Sequence, residues 1–371
     1  MKKVCAVIGL HYGDEGKGQV TNDLLEDADP GKSLVVRFSG GANAGHTVVH
    51  QGVRHVFSHF GSGTLRGVAT YWGQDAIANP ILFNKEWRKL EKLGITPKVF
   101  VSPRSLVTFP VDMLANQREE KRRAESGEQH GTCGVGIHKT VMRSAVLPIT
   151  VGELSTFPPV SLVWAQEVAE DIHWGERDGT DRLTVPLGKM SLFFDEVREF
   201  LSHITIASAF LPEDTLLFEG SQGVRLSATR VADGYDGRYL TEANTDLTNL
   251  KHLPYPVDVY GVSRPYLTRH GAGPLPNEVP TPPFPGIIER TNVLNPWQGA
   301  FRYGLLTETE IQESWRVLCA SRGQLQGKLT HVTTCADQLS PFEYAEYQGK
   351  LSILDGIAKA EDCFGVWKGV K

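Results

Sequence analysis

The sequence has no apolar run of membrane-spanning length and no excess of positive charge. Its net charge of −5 argues against extended contact with a DNA or RNA backbone, though local positive pockets stay open. Cysteine is scarce: Cys5, Cys133, Cys319, Cys335 and Cys363 are odd in number and form no Cys-x-x-Cys pair. That pattern predicts reduced thiols in a cytoplasmic setting and argues against a disulfide framework or a zinc site. Internal repeats and low-complexity tracts are absent. Met1-Lys2-Lys3 runs straight into an apolar stretch, which predicts no secretory leader.

What is present fits a globular enzyme with a large core: 371 residues, 40% hydrophobic and 22% charged. The length allows one large α/β domain or two ordinary ones, and the reading adopted is a single domain over residues 1–371. Strand-like runs recur at Val4–Leu10, Leu34–Phe38, Val99–Ser102, Leu216–Glu219 and Val257–Val262. Helical periodicity lies between them at Ile81–Leu93, Val111–Arg123 and Met190–His203. The alternation predicts a mostly parallel central sheet flanked by helices, with active loops at the carboxyl ends of the strands. His50–Phe57, with Gln51-Gly52 between β-rich pieces, predicts a hairpin. The charged run Arg118–Arg123 reads as a solvated helix face. Pro274–Pro296 is too proline-dense for a long helix or a central strand and reads as an ordered excursion leading into a substrate loop.

The chemistry concentrates in Gly9-Leu-His-Tyr-Gly13-Asp14-Glu15-Gly16-Lys17-Gly18, between the first apolar run and a helix-compatible segment, Gln19–Glu26. Its glycines permit close backbone approach to a ligand, and the helix start offers unpaired N–H groups to phosphate. Lys17 adds a point charge, while Asp14 and Glu15 place carboxylates where a magnesium ion or a proton transfer would use them. It is not a Walker A loop, because position 18 is glycine and the Gly-x4-Gly-Lys spacing fails. A tight strand–helix turn is the alternative, but such a turn has no need of the carboxylates and the lysine. His46 in its own glycine-flanked loop is either catalytic or structural. Gln222 is either a purine-edge reader, donating at one end and accepting at the other, or a turn amide.

Tyr12-Gly-Asp-Glu-Gly-Lys-Gly18 resembles the first loop of adenylosuccinate synthetases. Three further stretches match in order: Gly40-Gly-Ala-Asn43-Ala-Gly45-His46-Thr47, Phe218-Glu-Gly-Ser-Gln222-Gly and Thr268-Arg269-His-Gly-Ala-Gly-Pro274. The resemblance implies a ligase that joins L-aspartate to C6 of a 6-oxopurine nucleotide through a 6-phosphoryl intermediate, using Mg2+ and ATP or GTP. It implies Asp14 as base and magnesium ligand, the Gly45 carbonyl as a second ligand, and His46 and Lys17 on the phosphoryl group. Gln222 reads the purine, and Gly13, Glu15, Gly16, Gly18, Asn43 and Thr47 shape the nucleotide site. His130-Gly-Thr132-Cys133 aligns with the loop that binds the 5′-phosphate, and Thr241 with a phosphate-binding threonine. Arg269 aligns with the strand end that meets the ribose. Arg143 aligns with an arginine that reaches into the partner subunit, so the resemblance implies a homodimer with shared sites.

Two departures bear on the substrates. The guanine-reading segment is Thr330-His-Val-Thr333, without the family's carboxylate, so either Asp337 substitutes for it or the donor is ATP. The arginine-rich aspartate loop is replaced by Asn295-Pro-Trp-Gln298-Gly299-Ala-Phe-Arg302, which leaves Arg302 as clamp with Gln298 and the Gly299 backbone helping. These departures resemble a compact viral branch of the family that acts on dGMP, which would place the protein in a host cytoplasm. The retained Asp14 resembles the IMP-using enzymes instead. A phosphate-binding switch protein is a more distant reading of the same loop.

Overall fold

The computed structural model describes residues 3–156, 167, 183–209, 212–241, 244–292, 297–323, 325–354 and, as backbone, 364–368. The strands in chain order are β1 (Lys3–Gly9), β2 (Leu34–Arg37), β3 (His46–His50), β4 (Val53–Phe57), β5 (Ala69–Trp72), β6 (Val99–Val101), β7 (Ile204–Ile206), β8 (Thr215–Gly223), β9 (Asp258–Ser263), β10 (Tyr266–Arg269), β11 (Glu278–Val279), β12 (Arg302–Leu305), β13 (Leu329–Thr333) and β14 (Phe364–Lys368). Among the described residues, nine of them form one sheet in the order β14-β13-β9-β1-β8-β2-β5-β6-β7. Every pairing within it is parallel. Parallel strands need helical crossovers that cover both faces, which is why the strand runs are apolar throughout rather than alternating.

The pleat of β1 shows how the layers divide. Ala6 and Ile8 pack on one face with Ile311, Trp315 and Leu318 of the Glu308–Arg322 helix. Cys5 and Val7 turn to the other face, against Val20 and Leu25 at α1 (Lys17–Leu24). A third, aromatic cluster joins α2 (Pro80–Lys92) to the Leu187–His203 helix through Phe83, Trp87, Phe193 and Phe200.

The expected hairpin is β3–β4, with Gln51 and Gly52 at φ 49° and 79° in its two-residue turn. α1 starts at Lys17, two residues before the expected Gln19, because Gly16 at φ 85° caps it in the left-handed conformation. The excursion from Pro274 contains β11, which with β10 and β12 forms a small antiparallel sheet. Residues 293–296 lie outside the described residues, as does most of the tail from Gly356. No helix among the described residues is long and apolar enough to cross a membrane.

Candidate functional site

The carboxyl ends of β1, β8 and β9 are adjacent, and the loops leaving them line one cavity of about 1270 Å³. The loop after β1 forms its floor. Gly18 has no room for a side chain: a Cβ there would lie 2.8 Å from that of His46, so the glycine seats β3 against the start of α1. Asp14 adopts φ 63°, a left-handed conformation that costs a residue with a side chain about 1 kcal/mol or more. Its carboxylate, 21% exposed, faces the cavity with Oδ2 3.2 Å from Nδ1 of His270.

Glu15 is turned inward. It accepts hydrogen bonds from the backbone N–H groups of His11 (3.1 Å) and Gly13 (2.8 Å) and pairs with Lys17 at 2.8 Å, both side chains being buried. Burial opposes its charge, but the Lys17 ammonium and the Gly13 N–H outweigh burial and hold the carboxyl below its usual range. Glu15 therefore shapes the loop and aims Lys17. No side chain caps the start of α1; the Gln19 N–H bonds the Gly16 carbonyl, which leaves the N–H groups of Lys17 and Gly18 for a ligand.

His46 is the most elaborately held side chain. Its Nδ1 lies 2.7 Å from Oε1 of Glu219 and 3.2 Å from Nη1 of Arg37, and its Nε2 is 3.4 Å from the Ser221 carbonyl. Glu219, wholly buried on β8, also accepts the Ser62 N–H (3.1 Å) and hydroxyl and sits 3.8 Å from Arg37. Burial lowers the His46 pKa against the opposing pull of Glu219, with Arg37 adding to the depression. A carboxylate and a carbonyl both only accept, so the Glu219 contact calls for a proton on Nδ1 and the Ser221 contact for one on Nε2. Glu219 lay inside a recognised motif, but nothing in the sequence joins it to a histidine 173 residues away.

The cavity also gathers Asn43, Gly45, Thr47, Gln222, Thr132, Cys133, Thr241, Arg269, Gln298 and Asp337 from the expected set. Asn43 Oδ1 accepts the Gly41 N–H, which fixes the turn. Gln222 Oε1 would be 3.2 Å from a Cβ on Gly13, so the glycine lets the amide reach in. Thr132 accepts from Asn116 Nδ2 at 2.9 Å, and burial pushes the Cys133 thiol up to about 11. The Thr241 hydroxyl donates to the Leu226 carbonyl.

Three expected groups lie off the cavity: Arg143, Arg302 with Gly299, and Thr333. Arg143 of α4 (Ile137–Ser144) is buried, paired with Asp112 at 2.9 Å and donating to the carbonyls of Leu147 and Val107. It braces α4 against α3 (Pro110–Ser126) and neither lines the cavity nor reaches a surface from which it could cross to another subunit. Arg269 does line the wall, where its guanidinium donates to the carbonyls of Ala272, Pro274 and Tyr239 and so braces the turn, three of its five N–H groups being used. Arg302 pairs with Glu278 and donates to the carbonyls of Gly271 and Gly273. It lies off the cavity, as does Gly299, which leaves Gln298 as the described residue of that segment that faces it. Thr333 is also turned away, its hydroxyl 3.0 Å from that of Tyr347, whereas Asp337 lies on the cavity.

Sequence reasoning missed several lining groups. The run Arg118–Arg123 is only partly solvated: Glu119 and Arg123 line the cavity, and buried Glu120 accepts the Gly131 N–H. Arg264, Glu289 and Arg290 line it too, with Arg264 paired to Glu289 at 3.1 Å. The helical period of the charged run gave a direction to one face but not the partner that covers part of it.

A family model described as adenylosuccinate synthetase matches residues 6–291. The chain belongs to that family. The match takes in the β1 loop, the hairpin, the β8 motif and the turn after β10; Gln298, Gly299, Arg302, Thr333 and Asp337 lie beyond it. Among the relatives are adenylosuccinate synthetases of Haloarcula marismortui and Porphyromonas gingivalis, each 31% identical over 74% and 75% of this chain. Those alignments span 63% and 66% of the two relatives' own lengths. The Thermotoga maritima enzyme is 28% identical over 98% of this chain and 90% of its own.

Two solved structures share the fold. The fully ligated adenylosuccinate synthetase of Plasmodium falciparum superposes with a TM-score of 0.66 at 20% identity, covering 91% of this chain and 78% of that one. The succinoaminodeoxyadenylate synthetase of cyanophage S-2L, bound to dGMP and to dATP as an energy donor, gives 0.59 at 16%, covering 95% and 90%.

Proposed function

We propose that this member of the adenylosuccinate synthetase family joins L-aspartate to C6 of a 6-oxopurine nucleotide, with dGMP as acceptor and ATP or GTP as phosphoryl donor. The observation that carries the reading is the convergence of Asp14, Lys17, His46 and Gln222 on one cavity from three separate stretches of chain. A purine 6-oxo group is a poor leaving group. Asp14 takes the N1 proton, so that the electron pair reaches O6 and O6 attacks the γ-phosphorus, releasing the nucleoside diphosphate. The amine of aspartate then attacks C6, loses a proton, and the C6–O bond breaks with phosphate leaving.

His46 brings its ring to the transferring group, and Glu219 is the counter-charge when the ring carries a second proton, taken from solvent as the phosphates bind. Lys17 and the N–H groups at the start of α1 hold phosphate oxygens. Gln222 orients the base through both ends of its amide. Gln298 and Arg290, both on the cavity, are the groups placed for the carboxylates of aspartate.

Asp14 and the Gly45 carbonyl fit Mg2+, a hard cation that accepts one or two protein oxygens and completes its shell with phosphates and water. Bound there, the ion neutralises charge on the donor phosphates.

The dGMP assignment draws on the replaced aspartate and donor-base segments and on the fold shared with the cyanophage synthetase. IMP with GTP is the second reading, favoured by retained Asp14 and by the names of the relatives with 31% identity. The test is a rate matrix of IMP, GMP and dGMP against ATP, dATP and GTP, following aspartate-dependent phosphate release. Highest kcat/KM with dGMP supports the first reading and highest with IMP the second. Phosphate release that ignores aspartate in every cell of the matrix refutes both.

A further inference from the structure

Aspartate carries two carboxylates, yet the segment Asn295–Arg302 gives the cavity one described side chain, the uncharged amide of Gln298. Among the described residues, six arginines line that cavity, and four of them are already engaged. Arg123 pairs with Glu119 at 2.6 Å, Arg238 with Asp236 at 2.6 Å and Arg264 with Glu289 at 3.1 Å, while Arg269 donates to three carbonyls. Arg54 and Arg290 face no acidic group among the described residues.

These two belong to one stretch of the wall. Arg54, on β4, donates through Nη2 to the Thr291 hydroxyl, and Thr291 follows Arg290 in the chain. The Thr47 hydroxyl on β3 lies 3.3 Å from the same oxygen, so the hairpin and the loop at 289–292 meet there. Glu289 is not the missing counter-charge: Oε1 accepts the N–H groups of Thr291 and Asn292, and Oε2 faces Arg264. Two cations left without a counter-charge on one wall of a cleft attract an anion able to bridge them.

We propose that Arg54 is a substrate-binding residue, and that the two carboxylates of L-aspartate are divided between Arg54 on the hairpin and Arg290 on the loop. The inference rests on the ligase reading above and adds to it a second cation from a different element. A guanidinium fork matches a carboxylate with two parallel hydrogen bonds. Two positive charges also disfavour the ammonium form of the bound amino acid, which favours the neutral amine that attacks C6. An amino acid with one carboxylate leaves one guanidinium uncompensated, so the pair selects a diacid.

The test uses Arg54→Gln, whose amide can still donate to Thr291 and keep the hairpin docked, and Arg54→Lys, which keeps the charge. Steady-state kinetics give KM for L-aspartate, and calorimetry gives Kd for succinate, a diacid without the reacting amine, and for ATP and GTP. Loss of a charge-assisted contact predicts that the aspartate KM and the succinate Kd each rise about tenfold to a hundredfold in Arg54→Gln. Arg54→Lys recovers part of that loss, and kcat at saturating aspartate stays within about threefold of wild type.

Aspartate and succinate constants within about twofold of wild type overturn the proposal and leave the ligase reading standing. An equal or larger loss of ATP and GTP affinity also overturns it, because Arg54 would then serve the donor phosphates. So does a fall in kcat with both constants unchanged, which would mark a displaced hairpin. Succinate binding that depends on Arg54 in a protein that never consumes aspartate would keep the diacid site and refute the ligase.

Discussion

Glu219→Gln is the most searching perturbation of the site, because it removes one charge and leaves the volume nearly unchanged. Glu219 Oε1 meets His46 Nδ1 and the Ser62 hydroxyl, while Oε2 meets the Ser62 N–H at 3.1 Å and lies 3.8 Å from Arg37. A glutamine must put its NH2 at one of these two places. At the Oε2 position it opposes the Ser62 N–H and the Arg37 guanidinium, donor against donor. At the Oε1 position it opposes the His46 Nδ1–H and drives the ring to the other tautomer.

The lost attraction to Arg37, at 3.8 Å and an effective dielectric of 20, is about 4 kcal/mol, part of which returns because a neutral amide is easier to bury. The expected net loss is about 3 kcal/mol of folding stability, or a melting temperature lower by roughly 4 °C. Because a protonated His46 at the phosphoryl group, as in the function proposed above, would lose its counter-charge, kcat is expected to fall about a hundredfold or more while nucleotide affinity changes little. Thermal melts, steady-state kinetics and 15N NMR of the His46 ring would measure the three effects. A variant with kcat within about threefold of wild type would refute the role given to Glu219. An unchanged melting temperature would refute the ionic account of the pocket.

Asp14→Asn keeps the shape of the loop but cannot take a proton, so turnover should fall by about 10²–10⁴ while calorimetry still detects nucleotide binding. Glu86 accepts the N–H groups of Ser58 and His59 and faces His55 and His59. Burial opposes its charge, yet these contacts hold its carboxyl at about 2. Its contribution, about 3 kcal/mol, is present above the unfolded carboxylate pKa of about 4.3 and disappears as pH falls through the folded value. Urea melts of Glu86→Gln should show that deficit at pH near 7 and almost none near 2. His331 is buried and its pKa pushed down to about 3 by burial, with His11 adding to the depression. The stability tied to its neutral form is complete above the unfolded value of about 6.5 and drains away as pH falls toward the folded one, at up to about 1.4 kcal/mol per pH unit. His331→Gln should therefore show a shallower loss than wild type in denaturant titrations between pH about 6.5 and 4.

The strands of the sheet's centre were legible because a parallel strand buried on both faces is a short, continuous apolar run, as at Val4–Leu10 and Leu34–Phe38. β13 and β10 were not, because Thr330, His331, Thr333, Thr268 and Arg269 interrupt the run with polar groups that find partners only in the fold. Glycine spacing exposed the β1 loop, and the order of the motifs exposed His46 and Gln222. The sequence could not tell an arginine that meets a ligand from one that braces the backbone: Arg143 and Arg302 proved to be braces off the cavity, while Arg269 braces a turn and still lines it. That distinction depends on which carbonyls and carboxylates surround the guanidinium, and these come from residues up to 36 positions away. His270 escaped notice for the same reason, since its partner Asp14 is 256 residues distant in the chain.

The neighbours of β1 impose a timetable on synthesis. Residues 3–9 lie between two strands that begin at Thr215 and Asp258, so the loop after β1 has no sheet to stand on until the chain has been made through Gly223, the end of β8. Until then both edges of an apolar strand are open to stray pairing, and local contacts alone cannot protect it. A nascent chain of this kind depends on prompt completion, and a ribosome stalled before Thr215 would release a fragment that carries most of the loop residues but has nowhere to seat a nucleotide.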